Sequence, residues 1–298
     1  MPRSNSDIYF SGILEDLFVD FLRFFYPDAD KQFDLKRGFE FLDQEMGKLY
    51  PIGNPAYPKS VDKLVKIFTR EGKEEYILVH VEVQGYKEDD FAERMFTYFY
   101  RIRDSFGKRV RSIVIFTDSN RRFHPGEYVY RDDDTTVVFK YKTYKVVDQD
   151  PVILERSTNP FAWVMLTVQL ALRKNKLKTE DYLNLTIDLV RRLYRKGFDR
   201  SKIIVLLDFI RMYVHFEKPE IIGRFDKEID KLDNKIRTMG IREQILQIAQ
   251  EEGAEKATHE KNATFVKKLL HENVFTIEKI ADLADVSIDF VLQIKNKL

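Results

Sequence analysis

Between Lys59 and Tyr86 the chain reads KSVDKLVKIFTREGKEEYILVHVEVQGY, two alternating apolar runs around a polar reversal. Such a stretch demands a sheet with at least one buried face. The first run, Val61–Thr69, sends Val61, Val65 and Ile67 to one side and Asp62, Leu64 and Phe68 to the other. The second, Tyr76–Gln84, sets Ile77, Val79, Val81 and Val83 against Leu78, His80, Glu82 and Gln84. The intervening Arg70–Glu74 holds Gly72, so an antiparallel hairpin is the expected connection. With Gly72 as midpoint, Asp62 and Glu82 stand ten positions away on either side and face each other. Directly opposed Cβ atoms are roughly 5 Å apart, and carboxylates that close repel unless a cation lies between them. Hard oxygen donors suit Mg²⁺, with Mn²⁺ as a substitute. Gln84 falls on the same face and can hydrogen-bond water beside such an ion. His80, two residues inward, reads as a hydrogen-bonded structural histidine. Solvated surface carboxylates are the competing reading of Asp62 and Glu82, and a slip of one residue in register would undo the pair.

The rest of the chain places this ribbon among helices. Its 298 residues predict about two domains. Asp7–Phe25 predicts an amphipathic helix, Phe39–Leu42 a first strand, and proline-rich Tyr50–Pro58 a loop. In Asp89–Phe106 the residues Phe91, Met95, Tyr98, Ile102 and Phe106 form one helical stripe, and Ile113–Phe116 is short and apolar enough for a central strand. Glu127–Val147 predicts a hairpin that extends the sheet; its turn Asp132-Asp133-Asp134 lacks calcium-loop spacing and reads as solvated. Beyond Glu155 the periodicity is helical. Phe225, Ile229, Leu232, Ile236 and Met239 follow heptad spacing, which fits either self-association as a homodimer or packing within the chain. The tail TIEKIADLADVSIDFVLQIKNKL has a helix-turn-helix cadence with Ser287 as a cap; Gln293, Lys295 and Lys297 would meet DNA unless the helices only pack.

Charge and cysteine usage exclude several functions. Fifty Lys and Arg balance 49 Asp and Glu, so a nucleic-acid surface has to be local. Cysteine is absent, which removes disulfide-linked partners, thiolate metal sites and cysteine nucleophiles. The apolar run Leu14–Tyr26 is interrupted by Glu15, Asp16, Asp20 and Arg23, so no membrane span is expected there, and the start MPRSNSDIYF has no signal-peptide pattern. A cytoplasmic location is the resulting expectation.

Asp62, followed by Glu82-Val83-Gln84 within HVEVQ, resembles the D…E-x-K core of the PD-(D/E)XK nuclease superfamily. EFLDQEM, VDKLVKIF, VHVEVQGYKEDDFAERMFTYFYRIRD and LERSTNPFAW narrow the resemblance to the Rpn family of recombination-promoting nucleases, also labelled transposases. The resemblance implies an α/β nuclease core, α-β-β-β-α-β with a mixed sheet flanked by helices, over residues 1–150. A helical extension over 151–217 and charge-rich helices over 218–298 follow. It implies a Mg²⁺-dependent DNA endonuclease that hydrolyses phosphodiester bonds. Asp62, Glu82 and the backbone carbonyl of Val83 would hold the metal, and Gln84 would join Asp62 and Glu82 as a catalytic residue. Gln84 stands where the superfamily has lysine, and Val61 replaces its proline. A neutral amide orients water but does not stabilise developing charge, so a DNA-binding or assembly protein with little hydrolysis is the alternative. Arg94, Arg101, Arg109 and Arg111 are the arginines expected to hold DNA phosphates, unless they pair with Glu88, Asp89, Asp90 and Glu93. Glu15 is either an outer carboxylate of the site or part of a solvated face. The LERSTNPF string is assigned a structural role.

Overall fold

Alternating strands and one helix buried on all sides dictate how the layers stack. The computed structural model describes residues 5–42, 61–82, 91–232, 262–270, 276–284 and 286–295. Helices α1 (Asn5–Asp16), α2 (Phe18–Phe25) and α3 (Ala29–Gln32) precede strands β1 (Phe39–Phe41), β2 (Val61–Phe68) and β3 (Glu74–Glu82). Helix α4 (Phe91–Phe106) then leads into β4 (Arg109–Phe116), followed by β5 (Glu127–Arg131), β6 (Thr136–Lys140) and β7 (Lys142–Lys145). The main sheet has five strands in the order β1-β2-β3-β4-β7, antiparallel up to β3 and parallel beyond. It is a mixed α/β fold. The expected hairpin after Glu127 divides: β5 and β6 form a separate two-stranded sheet, and only β7 extends the main one. Tyr128 and Phe139 of that small sheet pack on Phe96 and Phe99 of α4, which leaves β7 to reach β4 alone.

Strand alternation separates two cores. Leu64, Tyr76, Leu78, Val114 and Phe116 bury against the α4 stripe of Phe91, Met95, Tyr98 and Ile102. Val65, Ile67, Ile77, Val79, Ile113 and Ile115 have the opposite parity and are also fully buried. The rings of α2 join that side: Phe18 meets Phe39 at 4.6 Å and Phe41 at 5.3 Å. The predicted single helix over 7–25 breaks at Leu17, whose φ of −117° and ψ of 29° leave the helical region. Leu17 N still donates to Ile13 O (3.0 Å) and Phe21 N to Leu17 O (2.8 Å), so the break is a kink.

After Lys145 every described element is helical: α5 (Pro151–Arg156), α6 (Phe161–Ala171), α7 (Thr179–Arg195), α8 (Arg200–Val214) and α9 (Pro219–Leu232), with short 3₁₀ turns between them. Helix α6 is buried without interruption from Phe161 to Val168, so it needs neighbours on all sides. It finds them in α2, α7 and α8, while α1 also packs on α8. The expected boundary at residue 150 therefore falls inside one compact unit, Met1–Arg242. The LERSTNPF string pins this junction. Asn159 Oδ1 accepts from Phe161 N at 2.8 Å, and its Nδ2 donates to Asp20 O of α2 at 2.9 Å. Of the heptad series, Phe225 and Ile229 are buried within the chain and Leu232 is exposed, whereas Ile236 and Met239 lie outside the described residues.

The second unit, Glu243–Leu298, has its own small core. Helices α10 (262–270), α11 (Ile277–Ala284) and α12 (Ile288–Lys295) bury Val266, Leu269, Ile280, Ala281, Ala284, Val291 and Ile294 together. Ser287 caps α12 as expected, its Oγ accepting from Phe290 N at 3.2 Å. No described helix is long and apolar enough to cross a membrane.

Candidate functional site

The hairpin turn fixes which residues of β2 and β3 meet. Gly72 N donates to Thr69 O at 2.9 Å, Thr69 N donates to Lys73 O at 2.8 Å, and Gly72 itself has φ +78°. A turn followed by a left-handed glycine is the three-residue hairpin loop. Gly72 is its last residue and Glu71 its centre. Pairing accordingly runs from Phe68↔Glu74 to Asp62↔His80. The direct Asp62–Glu82 opposition expected from a Gly72 midpoint is thus corrected by two positions. Glu82 lies two residues beyond His80 on β3, and its neighbour on β4 is Phe116. Asp62 and Glu82 keep the same ladder parity, as diagonal rather than direct neighbours, a relation that spans roughly 7–8 Å. Val83, Gln84 and the Tyr50–Pro58 loop lie outside the described residues.

Described side chains surround this end of the sheet. The Phe91 ring in the first turn of α4 lies 5.6 Å from Phe116 and 5.7 Å from Phe123. Arg94 extends over that same ring, its Cζ 5.3 Å from the centroid, so of the four arginines expected to hold phosphate it stands nearest the ladder neighbour of Glu82. Arg101 is half-buried and lies seven residues further along α4, about 10 Å by helical rise. Lys63, next to Asp62, is buried and pairs with Glu15 of α1. Glu15 therefore ties α1 to β2 through a residue of the strand parity opposite to Asp62, which supports neither the solvated-face nor the outer-carboxylate reading. Beside Glu15, Asp16 has its carboxyl pushed up to about 6, first by desolvation and then by the negative charges of Glu15 and Asp208.

Sequence reasoning passed over one buried ion pair at this end. Lys145 is the β7 neighbour of Phe116, and its ammonium meets Asp118 Oδ2 at 2.5 Å and Phe123 O at 3.1 Å. Both side chains are nearly inaccessible, 4% and 6% exposed. A lysine in the run KYKTYKVV was the signal, but its partner lies 27 residues earlier. The pair clamps the loop after β4 beside the Glu82 ladder position.

Arg109 and Arg111 lie elsewhere. Arg109 pairs with Glu75 in the ladder, seven positions before Glu82↔Phe116, or about 23 Å along the strands. Their guanidinium groups converge on Glu75, Arg109 Nη1 at 3.2 Å and Arg111 Nε at 2.8 Å. Grouping them with Arg94 is corrected, because β4 runs parallel to β3 and starts at the hairpin end. The expected acids Glu88, Asp89 and Asp90 lie outside the described residues.

Comparison with models of known protein families, with curated proteins and with solved structures finds no match.

Proposed function

We propose that this chain is a divalent-metal-dependent DNA endonuclease of the PD-(D/E)XK type, related to the Rpn nucleases. The observation that carries the reading is the register, which keeps Asp62 of β2 and Glu82 of β3 at one parity, two positions apart, at one end of adjacent strands. Strand positions of one parity share a sheet face, and a diagonal pair remains within joint reach of one ion when one member is the longer glutamate. The element order of helix, three strands, helix and strand supports the same core. Two carboxylates are the hard donors that Mg²⁺ or Mn²⁺ takes, with the carbonyl of Val83 as a third. An ion held there supplies Lewis acidity toward a phosphodiester oxygen.

The residues divide the remaining work. Asp62 and Glu82 bind, and Gln84 orients the attacking water through its amide without carrying the charge of a lysine. Arg94, steadied on Phe91, holds a substrate phosphate. The substitution of glutamine for lysine favours a second reading, in which the site binds DNA and scarcely cleaves it. Supercoiled plasmid incubated with protein and Mg²⁺, Mn²⁺ or EDTA decides between them. Nicking that requires metal and disappears in Asp62→Ala and in Glu82→Ala supports catalysis; retarded, uncut plasmid supports binding alone.

A further inference from the structure

We propose that the hairpin end of the main sheet is a second, metal-independent site, built to hold the phosphodiester backbone of a nucleic acid. A cleft of about 930 Å³ opens there between α3, the β2–β3 turn and the start of β4. Seven cationic side chains and three carboxylates line it, an excess of four positive charges in a chain whose whole net charge is +1. Such local excess draws polyanions however balanced the whole sequence is.

The acids present do not consume that charge. Glu75 is buried and serves two guanidiniums at once, so Arg109 and Arg111 together keep one positive charge. Lys31 with Asp28, Lys73 with Glu71 and Lys108 with Glu74 are exposed pairs, the last at 3.5 Å; counting Asp28 lowers the excess to three, and such contacts exchange readily for a phosphate. Arg37 sits over the Phe68 ring, its Cζ 3.6 Å from the centroid, and no side-chain hydrogen bond or ion pair engages its guanidinium among the described residues. Arg70 is fixed by Nε and Nη2 on the carbonyl of Asp30, which aims the group without neutralising it. The cations come from four separate segments around one cleft, α3, the chain at Arg37, the β2–β3 turn and the start of β4, so they match a run of phosphates better than a single anion. Contacts of this kind position a strand without reading its sequence. Nothing in the site calls for a metal or for a reaction at Asp62 and Glu82, and the two proposals stand or fall separately.

Fluorescence anisotropy with a short labelled DNA duplex in EDTA tests it, using the full chain and a variant carrying Arg37→Gln, Lys73→Gln, Lys108→Gln and Arg109→Gln. The expected result is a Kd raised at least about tenfold and a log K against log salt slope smaller by about 3, with the thermal melt preserved. If that variant does not fold, Lys73→Gln/Lys108→Gln, confined to exposed side chains, is expected to lower the slope by about 2. An unchanged affinity and slope in the folded cleft variant would overturn the proposal, even where plasmid nicking is intact. Full competition by inorganic tripolyphosphate at equal phosphate concentration would also overturn it, in favour of a small polyphosphate ligand.

Discussion

The two ends of the main sheet use charge in opposite ways. At the hairpin end one buried carboxylate is shared by two arginines, and cations from the surrounding segments outnumber the acids. At the far end Asp62 and Glu82 occupy ladder positions beside the Lys145–Asp118 pair, which is closed to solvent and internally balanced. The ends lie about 23 Å apart along the strands, well beyond a screening length of about 8 Å at physiological salt. Charges gathered at one end of the sheet therefore do not neutralise those at the other. The difference shows that register and strand direction, more than composition, assign charges to sites.

That contrast can be broken from either end. The largest effect is expected from Lys145→Met, which strands Asp118 in a closed environment. A loss of about 3–5 kcal/mol in urea unfolding is predicted, with most of it recovered in Lys145→Met/Asp118→Leu. A loss below about 1 kcal/mol would mean the pair does not organise that end. Next is Gly72→Ala: with φ +78° the alanine is strained in the turn that sets the register, at a cost of about 1–3 kcal/mol. An unfolding midpoint equal to wild type would argue against the turn geometry. Glu75→Gln is smaller in stability and more telling for the comparison. It releases a positive charge into the cleft, and duplex affinity at low salt is expected to rise about two- to fivefold; a fall would show that Glu75 orients the arginines for binding.

The smallest effect concerns Asp16, on the helix whose Glu15 anchors β2. Its folded pKa of about 6 lies above the ordinary 3.8, so the fold prefers the protonated carboxyl. Its stabilising contribution is full below the unfolded value and is lost as pH rises through about 6. Asp16 is exposed as a residue although its carboxyl is partly desolvated, so screening keeps the change below about 1 kcal/mol. Asp16→Asn should flatten the urea midpoint between about pH 4 and about pH 7; an unaltered pH profile would remove Asp16 from the account.

Much of the architecture was legible because it rests on local periodicity. The α4 stripe, the alternation of β2 and β3, the strand at Ile113–Phe116 and the Ser287 cap each depend on residues within one element. What the chain hid depends on distant partners or on one dihedral angle. Gly72 marks the turn but does not show whether it stands at the centre or at the end, and that distinction moved Asp62 from Glu82 to His80. Arg109 and Arg111 look close to Arg94 in sequence, yet a parallel crossover returns the chain to the opposite end of the sheet. Lys145 resembled any strand lysine until Asp118 and the Phe123 carbonyl closed around it. The β5–β6 pair left the main sheet because Phe96 and Phe99 offered it an aromatic face.

The central claim is that Asp62 and Glu82 together hold one divalent ion, and Mn²⁺ titration followed by electron paramagnetic resonance tests it most directly. The account predicts one bound Mn²⁺ per chain, displaced by Mg²⁺ and lost in Asp62→Ala and in Glu82→Ala alike. Retention of that ion in either folded variant would contradict the claim.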